Sequence, residues 1–257
     1  FSFSAGARRG GDGPGRRQRD EMAAYGTVVF DWDSTISAVE GIESLSTAQH
    51  ERVVELTEAA MRGEVPLEEV YGLRLQIAQP DTSAVAGLVR EYLDALVPDA
   101  AEVIAALRQA GVDVRVISGG LRQAIVPAAA ELGIPAEAVA AVDVYFDDAG
   151  RYAGYDEASP MARAGGKRTQ LERWSESLAR PVMLVGDGAT DLEARPVVDC
   201  FVAFAGVVER PAVVAAADVV IREKTLAPVL ALALGEEPPV DPVARGLYEK
   251  GTTLLRP

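Results

Sequence analysis

The stretch Thr27-Val28-Val29-Phe30-Asp31-Trp32-Asp33-Ser34-Thr35 joins a short apolar run directly to a polar segment that carries two carboxylates. The apolar run predicts a strand buried on both faces, as in a parallel sheet covered by helices. Ligands of such sheets bind at the carboxyl ends of the strands, which is where the two aspartates follow. Side chains at i and i+2 of an extended segment point the same way, so we expect Asp31 and Asp33 to share one site. An isolated Asp-x-Asp is also typical of an acidic turn or a helix cap.

Further apolar runs predict the rest of the sheet. The expected strands are Thr27–Phe30, 112–117, 181–185, Cys200–Phe204 and 218–221. The expected helices between them are 100–110, 121–132 and 169–178. This alternation is typical of an α/β protein with a largely parallel, doubly covered sheet. Two aromatic-rich arms around a glycine-containing turn at 144–155 predict an inserted β-hairpin.

Residues 31–111 separate the first two predicted strands, which is far more chain than one crossover helix requires. Helical patterns within 42–97 predict a helical cap domain, or lid, at 44–97, inserted into a core formed by 22–43 and 98–235. The basic stretch 1–21 is expected to be a disordered leader that precedes a natural start at Met22. We expect the globular part to end near Gly235. No role is assigned to the C-terminal segment 236–257.

The composition narrows the class of protein. Of 257 residues, 49% are hydrophobic and 25% are charged, as in a globular protein, and we expect it to be cytoplasmic. The net charge of -14 argues against nucleic acid or an anionic membrane as the main partner. The single histidine, His50, excludes a zinc site built from several histidines. The single cysteine, Cys200, lies in an apolar run and is expected to be buried and unreactive.

Two more predicted strands end in residues suited to anions or cations. The second strand continues into Ser118-Gly119-Gly120, which offers a hydroxyl and accessible backbone amides to an anion, although Ser118 alone is equally typical of a helix cap. The third predicted strand is followed by Gly186-Asp187-Gly188-Ala189-Thr190-Asp191. Its Gly-x-Gly start resembles a dinucleotide site, but Asp187 and Asp191 would then face a pyrophosphate, so we reject that interpretation.

The four aspartates present an electrostatic problem if the strand ends meet. Like charges at ~4 Å repel by about 4 kcal/mol per pair at an effective dielectric near 20. A divalent cation together with Lys167, which follows Gly165-Gly166 ahead of a predicted helix, would relieve this repulsion. Oxygen-only ligands favour Mg²⁺, an ion that proteins commonly share with a substrate phosphate. The residues therefore point to phosphoryl transfer.

In order and spacing, these motifs resemble the four motifs of the haloacid dehalogenase superfamily, and they are most similar to its phosphoserine phosphatase branch. The likeness runs from about Val28 to Ile221. Besides the four motifs it includes 40–42, 61–66, Arg74, 152–156 and 165–167. The chain departs from that branch at Trp32, where a smaller apolar residue is usual, and at Arg62, where glycine is frequent.

The resemblance implies a fold and an activity. The fold is a Rossmann-like parallel sheet with an inserted helical cap and a small β-hairpin. The activity is Mg²⁺-dependent hydrolysis of O-phospho-L-serine through an aspartyl-phosphate, the last step of serine biosynthesis. Asp31 would be the nucleophile and Asp33 the general acid and then the general base. The implied metal ligands are Asp31, Asp187 and the Asp33 backbone carbonyl, with Asp191 positioning a water on the metal.

The resemblance also implies the residues that bind substrate. Glu40 would meet the substrate ammonium and Arg74 its carboxylate, with Met61 over the substrate. The phosphoryl oxygens would contact Ser118, the Gly119 amide and Lys167, and the substrate-binding set is completed by Gly120 and Thr190.

Two alternatives stay open at this point. A phosphatase or phosphotransferase acting on another small phosphoester, such as phosphohomoserine or phosphothreonine, would share every catalytic residue. A non-catalytic phosphate- or metal-binding relative is less favoured, because it would have no reason to keep Asp31, Asp33, Lys167 and Asp187 together. The expected partner is O-phosphoserine, without nucleic acid or membrane, and the oligomeric state stays open, with a homodimer as one option.

Overall fold

The computed structural model describes residues 24–46, 50–61, 64–65 and 67–256. The predicted leader 1–21 lies outside these residues, as do the proposed start at Met22 and the side chain of Met61. Among the described helices, none is both long and apolar enough to cross a lipid bilayer.

A six-stranded parallel sheet forms the centre of the chain. In sequence order its strands are β1 (Thr27–Phe30), β2 (Asp113–Leu121), β3 (Val139–Val142), β6 (Val182–Gly186), β7 (Cys200–Phe204) and β8 (Val219–Ile221). Their order across the sheet is β3-β2-β1-β6-β7-β8. A separate antiparallel hairpin pairs β4 (Val144–Phe146) with β5 (Tyr152–Tyr155). The predicted α/β fold and hairpin insertion are confirmed.

The central strands are buried on both faces, as their apolar composition predicts. All residues of β1, β6 and β7 are buried, because helices cover the sheet. Cys200 is among them and is a free, buried thiol, as predicted. The register pairs Phe30 with Val116 on one side and with Val185 on the other. The carboxyl ends of β2, β1 and β6 therefore lie next to one another.

Eleven α-helices are defined within the described residues. The first four follow β1: α1 (Gly41–Ser44), α2 (His50–Met61), α3 (Leu67–Ala78) and α4 (Thr82–Asp94). The next four are α5 (Ala100–Gln109), α6 (Arg122–Glu131), α7 (Gly166–Trp174) and α8 (Ala189–Leu192). The last three are α9 (Pro211–Ala216), α10 (Ala227–Leu234) and α11 (Pro242–Leu254).

The insert contacts the core at several places. The end of α4 is joined to the loop after β1, where the Ala38 amide donates to the Ala95 carbonyl and the Val97 amide donates to Ile36. The hairpin packs against α3, with the rings of Tyr71 and Tyr155 5.2 Å apart. The insert boundaries 44–97 stay a prediction.

Several elements differ from the predicted ones. Strand β2 continues to Leu121 with an irregular register between Ile117 and Leu121, so Ser118 lies inside the strand and not after it. Helix α7 begins at Gly166 because Gly165 takes up a left-handed conformation (φ 67°) that caps the helix, and the helix ends earlier than predicted. Strand β3 was not predicted at all.

The C-terminal segment forms a packed helix, so the expectation that the globular part ends near Gly235 is wrong. Helix α11 begins where Asp241 accepts hydrogen bonds from two backbone amides of the first turn. The Tyr248 hydroxyl donates to the Gly235 carbonyl at 2.6 Å, and Lys250 Nζ lies 2.5 Å from Asp99 Oδ2. Gly251 is buried against Ala227 of α10.

Candidate active site

One pocket at the carboxyl edge of the sheet collects most of the predicted site residues. Its lining includes Asp31, Asp33, Glu40, Arg74, Gly119, Gly120, Lys167, Asp187 and Thr190. Ser118 and Asp191 are buried directly behind this lining, in contact with Asp33 and Lys167 respectively. The pocket forms because β2, β1 and β6 are neighbours, which brings together the three polar segments that follow or end these strands.

Three carboxylates in this pocket form a group that could hold a cation. Asp31, Asp187 and Asp191 each offer an oxygen, and these oxygens lie within 4.8 Å of one another. All three residues are buried. Asp191 approaches so closely that a Cβ on Gly186 would lie 2.2 Å from its Cγ, so glycine is required there. A buried set of oxygen ligands fits a hard divalent ion such as Mg²⁺.

Two cations, one of them buried, partly balance these carboxylates. Lys167 Nζ lies 2.8 Å from Asp31 Oδ2 and 2.7 Å from Asp191 Oδ1. Arg210 donates a short hydrogen bond to Asp187. Three carboxylates against two cations leave one negative charge, so the group has a net affinity for a further cation.

The pKa values of these groups reflect burial. Burial raises the pKa of Asp31 well above its ordinary value, the charge of Asp191 adds to the rise, and Lys167 opposes it. Burial also raises the pKa of Asp187 to about 8, against the opposing effect of Arg210. For Lys167, burial lowers the pKa, but Asp191 and Asp31 outweigh this and the net shift is upward. Lysine therefore stays charged in this site.

The carboxylate of Asp33 does not join the other three, which corrects the expectation that four carboxylates converge. Strand β1 ends at Phe30, and the Trp32 carbonyl accepts hydrogen bonds from the amides of Thr35, Ile36 and Ser37. The chain therefore turns at Asp33 and does not continue extended, so the two aspartates line one pocket, as predicted, but only Asp31 joins the carboxylate group.

The Asp33 side chain points instead to groups at the insert. Its Oδ1 accepts from the Gly41 amide at 2.9 Å and from the Tyr92 hydroxyl at 2.7 Å, and its Oδ2 accepts from Ser118 Oγ at 3.2 Å. Burial raises the pKa of Asp33 to about 6, and the charge of Glu40 adds to the rise. A carboxyl group with this pKa can exchange protons near neutral pH.

Asp31 is fixed through both of its oxygens. Its Oδ1 accepts from the Trp32 amide at 2.7 Å, and its Oδ2 faces Lys167. Nearby, the end of β2 comes close to Asp33, since a Cβ on Gly120 would lie 2.8 Å from Asp33 Oδ2. The Gly120 amide donates to Ser118 Oγ at 2.9 Å.

Glu40 and Arg74 lie on the insert side of the same pocket. Glu40 accepts from Ser34 Oγ at 2.7 Å, and burial raises its pKa while the charge of Arg74 lowers it. Arg74 is only 5% exposed, and its Nε has no hydrogen-bond partner among the residues that the structure describes. A buried guanidinium group with an unpaired donor is suited to an anionic ligand.

Several polar residues at the site were missed by sequence analysis, among them Arg210, Tyr71 and Tyr92. Arg210 follows the carboxyl end of β7, and the rule that identified Asp187 at the end of β6 could have found it. Tyr71 donates to the Gly119 carbonyl at 2.7 Å, and Tyr92 donates to Asp33. No sequence pattern indicated a role at the site for either tyrosine, because a tyrosine on the apolar face of a helix is typical of a core residue. Met61 ends α2, and its predicted position over the substrate falls outside the described side chains.

Known proteins with similar sequences are phosphatases. A family model described as a haloacid dehalogenase-like hydrolase matches residues 25–195. The chain is 40% identical over 214 residues to the chloroplastic phosphoserine phosphatase of Arabidopsis thaliana, which covers 80% of this chain and 71% of that protein. It is 38% identical over 186 residues to the phosphoserine phosphatase of Homo sapiens, covering 71% and 83%.

Solved structures share the fold. A phosphoserine phosphohydrolase-like protein from Francisella tularensis aligns with a TM-score of 0.70 at 25% identity, over 77% of this chain and 95% of that chain. A substrate-bound phosphoserine phosphatase complex aligns with a TM-score of 0.71 at 24% identity, over 80% and 97%, and supports the fold alone. The family-model match and the curated relatives thus agree with the four motifs and with the parallel sheet: the chain belongs to the haloacid dehalogenase-like hydrolases.

Proposed function

We propose that this chain is a Mg²⁺-dependent phosphoserine phosphatase, which hydrolyses O-phospho-L-serine to L-serine and phosphate in the last step of serine biosynthesis. One observation carries the substrate assignment beyond the names of the relatives. Arg74, buried and with an unpaired Nε, lines the same pocket as Asp31 and Lys167. A guanidinium group in that position is suited to a carboxylate on the same molecule that presents its phosphate to Asp31.

The cation would be held by Asp31, Asp187 and the backbone carbonyl of Asp33, with Asp191 beside them. The buried oxygen-only set of Asp31, Asp187 and Asp191 supports this assignment. When bound, Mg²⁺ would supply positive charge that offsets the carboxylates and the incoming phosphate. Lys167 already contacts Asp31 and Asp191 and would add a second positive charge beside the transferring phosphoryl group.

Asp31 would be the nucleophile. One of its carboxylate oxygens forms a bond to phosphorus while the bond between phosphorus and the serine oxygen breaks. Asp33 donates a proton to the departing serine oxygen, which leaves as a hydroxyl. Water then attacks the phosphorus of the aspartyl-phosphate, Asp33 takes up its proton, and the Asp31 carboxylate is released with phosphate. The raised pKa of Asp33, about 6, supports both of its roles.

The remaining residues would bind the substrate. Ser118, the Gly119 and Gly120 segment and Thr190 would contact the phosphoryl oxygens, and Glu40 would bind the ammonium group. The charge of Arg74 lowers the pKa of Glu40 in the pocket, which supports a site for a zwitterionic amino-acid moiety. Met61 would lie over the bound substrate, and the insert at 44–97 would close as a lid that limits the access of water.

A phosphate-release assay tests the proposal against its rival, a phosphatase for another small phosphoester. Purified protein is incubated with O-phosphoserine, phosphothreonine, phosphohomoserine and sugar phosphates, with Mg²⁺ and with a chelator. We expect the highest kcat/KM for O-phosphoserine and loss of activity with the chelator. An Asp31→Asn sample prepared in parallel measures any contaminating phosphatase. A higher kcat/KM for another phosphoester would contradict the serine assignment and leave the reaction class standing.

A further inference from the structure

Tyr92 of the insert contacts the carboxyl group that we propose as the general acid. Its hydroxyl donates to Asp33 Oδ1 at 2.7 Å. The side chain is fully buried, and it reaches the site from the last turn of α4. The contact is therefore a defined hydrogen bond between the insert and the core, with its phenol side buried.

The position of the Tyr92 hydroxyl is fixed by three independent contacts. The ring packs edge to face on Trp32, with centroids 5.6 Å apart and an interplanar angle of 76°. Ser37 Oγ donates to the Tyr92 carbonyl at 3.1 Å, which holds the backbone at the core. A Cβ on Gly41 would lie 2.0 Å from the hydroxyl oxygen, so the hydroxyl occupies space that only glycine leaves free.

The two oxygens of Asp33 are thereby made unequal. Oδ1 accepts two hydrogen bonds, from Tyr92 and from the Gly41 amide, while Oδ2 accepts one longer hydrogen bond from Ser118. The pair of donors therefore holds Oδ1 in place and leaves Oδ2 as the oxygen beside Gly120 of the pocket lining.

We propose that Tyr92 is a positioning residue that orients the Asp33 carboxyl group, so that its Oδ2 faces the leaving oxygen of the substrate. The inference rests on the proposed function, in which Asp33 is the general acid. In the step itself, the proton leaves Asp33 Oδ2 for the substrate oxygen as the phosphorus–oxygen bond breaks. Tyr92 keeps its own proton throughout and acts through Asp33 alone.

The test compares two leaving groups in Tyr92→Phe, which removes only the hydroxyl. A serine alkoxide needs a proton in order to leave, whereas p-nitrophenolate leaves readily without one. We expect kcat/KM for O-phosphoserine to fall by about ten- to a hundred-fold, the scale of a misplaced catalytic group. The kcat/KM for p-nitrophenyl phosphate should change less than about three-fold, since phosphoryl transfer to Asp31 does not depend on the acid.

Tyr71→Phe is the matched control, because its hydroxyl also joins the insert to the core but contacts the Gly119 carbonyl and not Asp33. We expect any loss in this variant to be equal for the two substrates. Gly41→Ala is a second probe that keeps the phenol but displaces it, and the loss should again be selective for O-phosphoserine. Thermal unfolding of each variant shows that it is folded.

Two results would overturn the inference: equal losses on both substrates in Tyr92→Phe, or full activity toward O-phosphoserine. Failure of the proposed function is visible separately in the unmodified chain, as hydrolysis of p-nitrophenyl phosphate without hydrolysis of O-phosphoserine. In that case β-glycerophosphate, which also releases an alkoxide, replaces O-phosphoserine in the comparison. The positioning role of Tyr92 is thus decided whichever phosphoester is the substrate.

Discussion

Lys167 Nζ lies 2.8 Å from Asp31 Oδ2, and both side chains are buried at the carboxyl edge of the sheet. Lys167 comes from the first turn of α7, whereas Asp31 directly follows β1, so the pair joins two distant parts of the sequence. A buried carboxylate without a partner would be costly. The ammonium group therefore opposes the rise in the pKa of Asp31 that burial causes, and so favours the ionised, nucleophilic form.

Asp31→Asn should abolish turnover while the fold is retained. The amide has nearly the same shape as the carboxylate but is a poor nucleophile, so we expect kcat to fall at least about a thousand-fold. Lys167 keeps a charged partner in Asp191, which preserves the local structure. Phosphate release measures the loss, circular dichroism checks the fold, and mass spectrometry excludes deamidation back to aspartate. Turnover near that of the unmodified chain would contradict the assignment of the nucleophile.

Arg74→Ala should discriminate between substrates. Truncating one partner of a buried charge pair typically costs about 2 to 5 kcal/mol, so kcat/KM for O-phosphoserine should fall by that amount. Hydrolysis of p-nitrophenyl phosphate should scarcely change, because this substrate has no carboxylate for Arg74 to bind. The measurement is kcat/KM for both substrates.

Arg90→Ala is the matched control for this variant, since Arg90 is an exposed arginine on α4 of the same insert. It should leave both substrates unaffected. An equal loss on the two substrates in Arg74→Ala would show that Arg74 serves the structure or the reaction in general. The assignment of O-phosphoserine would then lose its main structural support.

The strands and the polar residues after them could be predicted together. Each apolar run indicates a strand, and the polar residues that follow it directly indicate a site at the end of that strand. The apolar runs of β1 and β7 match their predicted bounds, and Asp31 and Asp187 meet because their strands are neighbours. The turn at Asp33 was not predicted. It is set by backbone hydrogen bonds from residues 35–37 to the Trp32 carbonyl, which the apolar pattern does not record.

Other elements were missed for similar reasons. Helix α11 has an apolar face, but the proline-rich stretch before it suggested that the fold had ended, and only its packing on α10 places it in the core. Strand β3 is short and alanine-containing, and it is defined by pairing with β2 rather than by its own propensity. Tyr92 acquires its role only because α4 brings it beside Asp33.

In the absence of metal, the free energy of unfolding should decrease as the pH rises from about 4 toward 8. Burial raises the pKa of Asp33 to about 6 and that of Asp187 to about 8, both from 3.8. Between the ordinary and the raised values, the folded chain holds protons that the unfolded chain has released, so raising the pH favours unfolding. The stabilisation that the two carboxyl groups contribute is fully present below their ordinary pKa of 3.8. It is lost as the pH rises past their raised pKa values in the folded chain.

Urea unfolding in EDTA at several pH values measures this slope. Asp187→Asn should give a shallower slope, because the amide does not titrate. Added Mg²⁺ should also flatten the slope, since a bound cation favours the ionised carboxylates, and its affinity should increase with pH. A metal-free slope of the opposite sign, or one unchanged in Asp187→Asn, would contradict the assignment.

Two glycines of α11 should respond in opposite ways to alanine, because only one of them lies against another helix. At Gly251 a Cβ would lie 2.2 Å from the Ala227 carbonyl oxygen and 3.0 Å from the Pro228 nitrogen, and both of these are backbone atoms. Backbone cannot move aside as a flexible side chain can, so Gly251→Ala should destabilise the protein by about 1 to 3 kcal/mol.

At Gly246 a Cβ meets nothing within 4 Å. Gly246→Ala should therefore stabilise by up to about 1 kcal/mol, through the better helix propensity of alanine. Chemical denaturation of both variants at one pH, with the same Mg²⁺ concentration, gives the two signs directly. If both substitutions stabilised the protein, α11 would not pack on α10 in solution, and the C-terminal segment would not belong to the folded core.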